Sequence, residues 1–179
     1  MAVTKIHPIK TTLKKAIDYI CNGDKTDDEI YVTTHLCSRE NAYKEFELTK
    51  KQFNSRTKTL AHHLIQSFVP EEVSFEEAHQ VGIELCEKIL GGKYEYVLAT
   101  HIDKEHIHNH IIFNSTNSVT LNKFRWQKGT KKSLENISDK YADLAGAKIL
   151  KEQLWTNRKS YHAYRKKNSF RYEIKSRLD

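Results

Sequence analysis

Four histidines, His101, His106, His108 and His110, fall within ten positions inside the segment YEYVLATHIDKEHIHNHIIFN, Tyr94 to Asn114. Imidazole suits Zn, Cu, Fe and Ni, and also Mg or Mn when water or phosphate oxygens fill the remaining positions. Residues 94–100 and 107–114 are rich in β-branched and aromatic side chains, and the polar Asp103-Lys104-Glu105 separates them. That pattern predicts a β-hairpin. Alternation along a strand puts His106, His108 and His110 on one face and Ile107, Asn109 and Ile111 on the other. His101 lies across the turn, where it can complete a facial set with His108 and His110. Three imidazoles with no nearby cysteine leave coordination positions open for a substrate, unlike a closed structural zinc site, and so point to catalysis. The bland alternative is a solvated, His-rich hairpin.

The run HIDKEHIHNH, followed by Ile-Ile-Phe-Asn, resembles the metal motif of the MobA-type relaxases, the mobilisation nucleases of the HUH superfamily. AIDYICNGDKT, SRENAYKEFELTKKQF and LAHHLIQSFVPEEVSFEEAHQVGIELCEKILG resemble consecutive blocks of the same family's N-terminal domain, so the resemblance covers roughly residues 1–150. It implies a relaxase that nicks one DNA strand at an origin of transfer through a 5′-phosphotyrosyl intermediate. Tyr19 stands where the family carries its nucleophile. His101, His108 and His110 match the family's ligand spacing for a divalent ion, Mg or Mn first, with Zn, Ni or Co as alternatives. His63, the second of the His62-His63 pair, falls at the family's characteristic histidine. A tyrosine hydroxyl, with an ordinary pKa of about 10, needs a base at pH 7, and Asp103 or His63 is the candidate. Asp103 can equally serve as the acceptor that orients a metal-bound imidazole. Two other readings stay open: a rolling-circle replication initiator of the same chemistry, and a DNA-binding module with a purely structural metal site.

The elements that must position these residues follow from periodicity. Residues 2–6 read as a strand that Pro8 breaks, and Thr11 or Thr12 can cap a helix with the apolar stripe Leu13, Ala16, Ile17 and Ile20. At about 100° per residue, Tyr19 sits roughly 110° from the centre of that stripe, so it flanks the core. Residues 30–34 form a strand, and Ser38 is a candidate N-cap for a helix through Ala42, Phe46, Thr49 and Phe53. Another strand, residues 60–68, carries His62 and His63. Ser74-x-x-Glu77 is a capping box for a helix through Ala78, Val81, Gly82, Leu85 and Ile89, ended by Gly91-Gly92. His79 in that helix has no partner evident in the sequence. Residues 118–126 read as a loop or short ribbon, Leu134, Ile137, Tyr141 and Leu144 mark a further helix, and residues 149–150 could add an edge strand. The whole predicts an α+β fold: one largely antiparallel sheet of about five strands, helices on its faces and the histidine hairpin at its centre.

Composition sets the partners. Net charge is +7, and residues 151–179 hold nine basic and three acidic residues, which leaves about +1 for the rest. The resemblance implies that residues 1–150 are the nuclease domain, and the charge makes 151–179 an expected basic, helical, DNA-contacting extension. A second island, Lys123, Arg125, Lys128, Lys131 and Lys132, contains no acid. Such clusters, interleaved with Phe124, Trp126, Trp155, Tyr161 and Tyr164, suit DNA, phosphates meeting the cations and bases the rings; a solvated basic helix is the alternative. The expected DNA contacts are His106, Asn114, Arg56, the island, Arg165, Lys166 and Lys167; the resemblance implies that they meet the origin hairpin and its single strand, with accessory relaxosome proteins as further partners. Cys21, Cys37 and Cys86 lack metal or disulfide spacing and read as small buried or half-buried thiols. No apolar run approaches the ~20 residues of a membrane span, so a cytoplasmic setting is expected, and the resemblance implies a bacterial protein carried on a mobile genetic element.

Overall fold

Pro8 does not break the first strand. In the computed structural model, which describes residues 3–52, 58–103, 106–125 and 129–146, β1 runs through it as Val3–Ile9. The element order continues α1 (Leu13–Ile20), α2 (Gly23–Thr26), β2 (Val32–His35), α3 (Ala42–Gln52), β3 (Ala61–Ser67), α4 (Phe75–Leu90), β4 (Tyr96–His101), β5 (His108–Asn114) and α5 (Thr130–Leu144). The strands form one sheet in the order β1-β3-β5-β4-β2, with every pairing antiparallel. Proline is tolerated because β1 is an edge strand, whose outer side needs no ladder donor. The expected α+β architecture is the one observed, with the histidine hairpin in the middle.

Each face of the sheet is covered by helices. On one, Leu13, Ile17 and Ile20 of α1 and Ala42 and Phe46 of α3 pack on Ala61, Val97, Ala99 and Ile112. On the other, Leu85, Cys86 and Leu90 of α4 and Leu134 of α5 pack on Leu64, Tyr96, Leu98, Ile111 and Phe113. Burying both faces explains why β4 and the C-terminal half of β5 are apolar runs without polar alternation. All three cysteines are free, Cys21 and Cys86 buried and Cys37 half-buried. No helix among the described residues is long and apolar enough to cross a membrane.

Several local expectations need correction. Thr12 begins α1 in the left-handed region and makes no side-chain cap; its hydroxyl donates to the Thr11 carbonyl instead. Ser38 does not cap α3, which starts at Ala42; its N–H and O–H both reach across to the Glu45 carboxylate. Leu144 is 72% exposed, and the buried line of α5 runs through Leu134, Ser138 and Ala142 at i, i+4 spacing. Ser74 and Glu77 do form the reciprocal capping box of α4, and Gly91 closes that helix at φ 58°. Residues 149–150, Phe53 and the tail 151–179 lie outside the described residues.

Candidate functional site

Register decides which imidazoles meet. His101 pairs with His108 across the β4–β5 ladder, and the next rung on the same face pairs Ala99 with His110. On the other side of β5, His63 pairs with Ile112, one rung of the same face beyond His110. The rings of His101 and His110 approach to 4.3 Å between centroids, and those of His108 and His110 to 6.2 Å. His106, just ahead of β5, lies with its ring 4.3 Å from that of His108. His7 of β1 pairs directly with His63 and is exposed; its position in the short TKIHPIK run carried no signal of its own.

Two of these rings are oriented by protein partners. His110 Nδ1 lies 3.0 Å from His63 Nε2, so one of these nitrogens donates to the other. If Nδ1–H of His110 donates, its Nε2 keeps the lone pair, which is how metal-bound imidazoles are usually held. His101 Nε2 donates to the Ile20 carbonyl over 2.9 Å, which ties β4 to the end of α1. Burial, reinforced by the neighbouring His101, His63, His108 and Lys25, pushes His110 far below the ordinary imidazole range, and burial does the same to His63. Both rings are neutral, and neutral imidazole is the form that can ligate a metal.

Tyr19 stands at the last turn of α1, 53% exposed, beside the buried face that Leu13, Ile17 and Ile20 make. Its ring meets His101 edge-on at 5.9 Å, and the Lys25 ammonium sits 3.7 Å from its centroid. The tyrosine and the histidine face, about eighty residues apart in sequence, are therefore neighbours.

Residues 19–146 match the model of the relaxase family described as MobA/VirD2-like, nuclease domain. The chain belongs to the MobA/VirD2-like relaxase family. It is 35% identical to the group II intron-interrupted relaxase LtrB of Lactococcus lactis subsp. cremoris, over 93% of this chain and 37% of that protein. Two Staphylococcus aureus proteins named rlx are 32% and 36% identical, over 83% and 76% of this chain and 44% and 38% of theirs. The chain thus spans less than half the length of these curated relatives.

Behind the histidine face of this relaxase domain runs a buried chain of polar groups. Thr100 Oγ1 donates to Asn109 Oδ1 at 2.7 Å, so it must accept from His79 Nδ1–H, also at 2.7 Å. That fixes the His79 tautomer: its Nε2 accepts from the Thr33 hydroxyl at 2.8 Å. Asn109 Nδ2 donates to the Ala78 carbonyl and to Gln66 Oε1, and Gln66 donates to Ser138 Oγ. His79, which the sequence left without a partner, is the hub between α4, β2 and β4. Thr100 and Asn109 are also register partners, flanked by the rungs that carry His101, His108 and His110. Their hydrogen bond staples the hairpin from behind where the imidazoles need a fixed spacing.

The remaining candidates divide. Asn114 is fully buried, with its amide donating to the Phe46 carbonyl and the Glu95 carboxylate and its oxygen accepting from Thr116 N–H. That removes it from the DNA-contacting set: its side chain is committed to holding the end of β5, and the polar residue type alone could not reveal the burial. Asp103 is exposed in the turn, and among the described residues nothing hydrogen-bonds to its side chain. His62 faces the opposite side of the sheet from His63, with its ring stacked on Phe113 at 5.2 Å. Lys123, Arg125 and Lys132 are exposed. Lys123 bridges to Thr116, two residues past the end of β5, whereas His110 lies near the start of that strand. Arg56, Lys128, Arg165, Lys166, Lys167 and the side chain of Lys131 fall outside what is described.

Whether a metal ion fits is decided by the donors. Among the described residues no three His, Cys, Asp or Glu side chains converge as a ready-made cage. The chemistry nonetheless suits a divalent ion: His101, His108 and His110 crowd one face, His110 is neutral, and His101 and His110 each have one nitrogen engaged by a protein group that fixes the ring.

Proposed function

We propose that this domain is the nuclease part of a mobilisation relaxase that cuts one DNA strand at an origin of transfer by tyrosine transesterification. The observation that carries this reading is the placement of Tyr19 edge-on to His101 at the rim of the histidine face. Tyr19 attacks the scissile phosphorus: the Oη–P bond forms, the P–O3′ bond breaks, the tyrosine proton passes to a base, and the leaving oxygen becomes a free 3′-hydroxyl. The 5′-phosphotyrosyl bond keeps the phosphodiester energy for religation. A divalent ion held by His101, His108 and His110 would act as Lewis acid on the phosphate. His63 is half-buried with its Nε2 engaged by His110, so Asp103, exposed in the turn, is the better candidate base. His106 is suited to a phosphate next to the scissile one. The basic island and residues 151–179 are proposed to hold the DNA backbone, Lys123 and its neighbours well away from the cut.

The test is incubation with supercoiled plasmid carrying the element's own transfer origin, with and without Mg²⁺ or Mn²⁺. A metal-dependent nick should appear, with protein covalently joined to the 5′ end through Tyr19. Tyr19→Phe should bind DNA with nearly unchanged affinity and form no adduct, because one hydroxyl contributes little to a phosphate-dominated interface. An adduct mapped to another tyrosine, or full cleavage by His108→Ala, would overturn the assignment.

A further inference from the structure

Lys25 has a position that neither its neighbours in sequence nor the roles assigned above account for. It lies on α2, whose capping residue Asn22 accepts the Asp24 N–H and whose Thr26 hydroxyl turns back to the Asn22 carbonyl. The Lys25 carbonyl accepts the Ile102 N–H at 2.9 Å, which pins α2 to the end of β4, one residue past His101. The side chain is half-buried and its ammonium sits 3.7 Å from the Tyr19 ring centroid. Asp24, Asp27 and Asp28 flank it in sequence, yet among the described residues Lys25 forms no ion pair. A lysine with three carboxylates near in the chain and its ammonium placed over an aromatic ring is held there by the fold.

Resting on the reading of Tyr19 as nucleophile, we propose that Lys25 is the cation of the cleavage centre: it fixes the half-exposed Tyr19 ring by a cation–π contact and faces the phosphate that Tyr19 attacks. Two contacts then define the ring's attitude, the edge of His101 and the ammonium of Lys25. A phosphate reached by the Tyr19 hydroxyl and by the histidine face lies beside the ring that the Lys25 ammonium covers. As the Oη–P bond forms and the P–O3′ bond breaks, negative charge grows on the phosphoryl oxygens, and a preplaced cation stabilises it most at that stage. Lys25 supplies no proton to the step; the tyrosine proton passes to the base.

Lys25→Met keeps the apolar stem and removes the charge; Lys25→Arg keeps a cation able to cover the ring. With a single-stranded origin oligonucleotide under single-turnover conditions, Lys25→Met should cut on the order of 10²-fold more slowly. Its DNA affinity should change little, and its salt slope by no more than about 0.7, the share of one single-strand phosphate contact. Lys25→Arg should recover most of the rate. In the free protein, the ring resonances of Tyr19 should move in Lys25→Met and move back toward wild type in Lys25→Arg. If the wild-type adduct maps to Tyr19 and Lys25→Met cuts at the wild-type rate, Lys25 has no part in cleavage and only this inference falls. An adduct on another residue would overturn the nucleophile assignment and this inference with it.

Discussion

Replacing Gly82 with Ala sets two effects against each other, and the structure says which wins. Alanine favours a helix interior over glycine by about 1 kcal/mol, so propensity alone predicts a more stable protein. But a Cβ at Gly82 would stand 2.7 Å from Asn109 Nδ2, 3.1 Å from its Cγ and 3.0 Å from Leu98 Cδ1. Asn109 cannot yield cheaply, because the same nitrogen is held at 2.6 Å from the Ala78 carbonyl and 2.9 Å from Gln66 Oε1. Either α4 lifts off the sheet or a buried amide loses its partners. Overpacking costs about 1–3 kcal/mol and an orphaned buried polar group a similar amount. After the propensity gain the net loss should be up to about 2 kcal/mol. Chemical denaturation should show a lower midpoint with an unchanged slope, and thermal melting should drop by up to about 8 °C for a domain of this size. The control is Gly23→Ala, where the nearest atoms stand 3.7 Å from the new Cβ and no such loss is expected. In Gly82→Ala/Asn109→Ala the two costs should be less than additive. A Gly82→Ala protein more stable than wild type by about the propensity gain would refute the close-approach argument.

Thr100→Val keeps shape but leaves the His79 Nδ1–H and Asn109 Oδ1 without partners. Calorimetric titration with Mn²⁺ or Co²⁺ should show affinity reduced by about tenfold, the low end for groups that support metal ligands, while Thr100→Ser should bind as wild type does. Equal affinity in Thr100→Val would reduce the back-face network to ordinary core structure. Burial raises the Glu95 carboxyl above its ordinary range, although the Asn114 amide and Thr49 hydroxyl partly counter this. A raised folded-state pKa means that Glu95 contributes most below the ordinary carboxylate range, and that this contribution is lost as pH rises through the folded value. Glu95→Gln should therefore match or exceed wild-type stability at pH 7 and lose that advantage as pH falls toward 4, read from denaturation midpoints. An advantage that grows on acidification would contradict the sign.

Sequence by itself determined what depends on neighbours along the chain. β-branched and aromatic enrichment in YEYVLAT and IHNHIIF defined two strands, and the two-residue strand period put His108 and His110 on one face whatever surrounds it. The i, i+4 stripes of α1 and α4, and the Ser74 capping box, were legible for the same reason. Tyr19 could be assigned to a helix flank by angle alone. Only the tertiary structure decided what depends on register and on the far side of a residue. That His63 Nε2 meets His110 Nδ1 follows from how β3 slides against β5, and no local pattern encodes that slide. His79 looked partnerless because its two hydrogen-bond partners, the hydroxyls of Thr33 and Thr100, sit on β2 and β4, 46 and 21 residues away. Asn114 looked like a DNA contact because a polar type at a strand end says nothing of what covers it, and Phe46 and Glu95 cover it. Lys25 was one charge among several in NGDKTDDE until the packing of α2 against Ile102 brought its ammonium over Tyr19. Chain-local order comes from dihedral preference and periodicity, and the site comes from the long-range contacts that fold those elements onto one face.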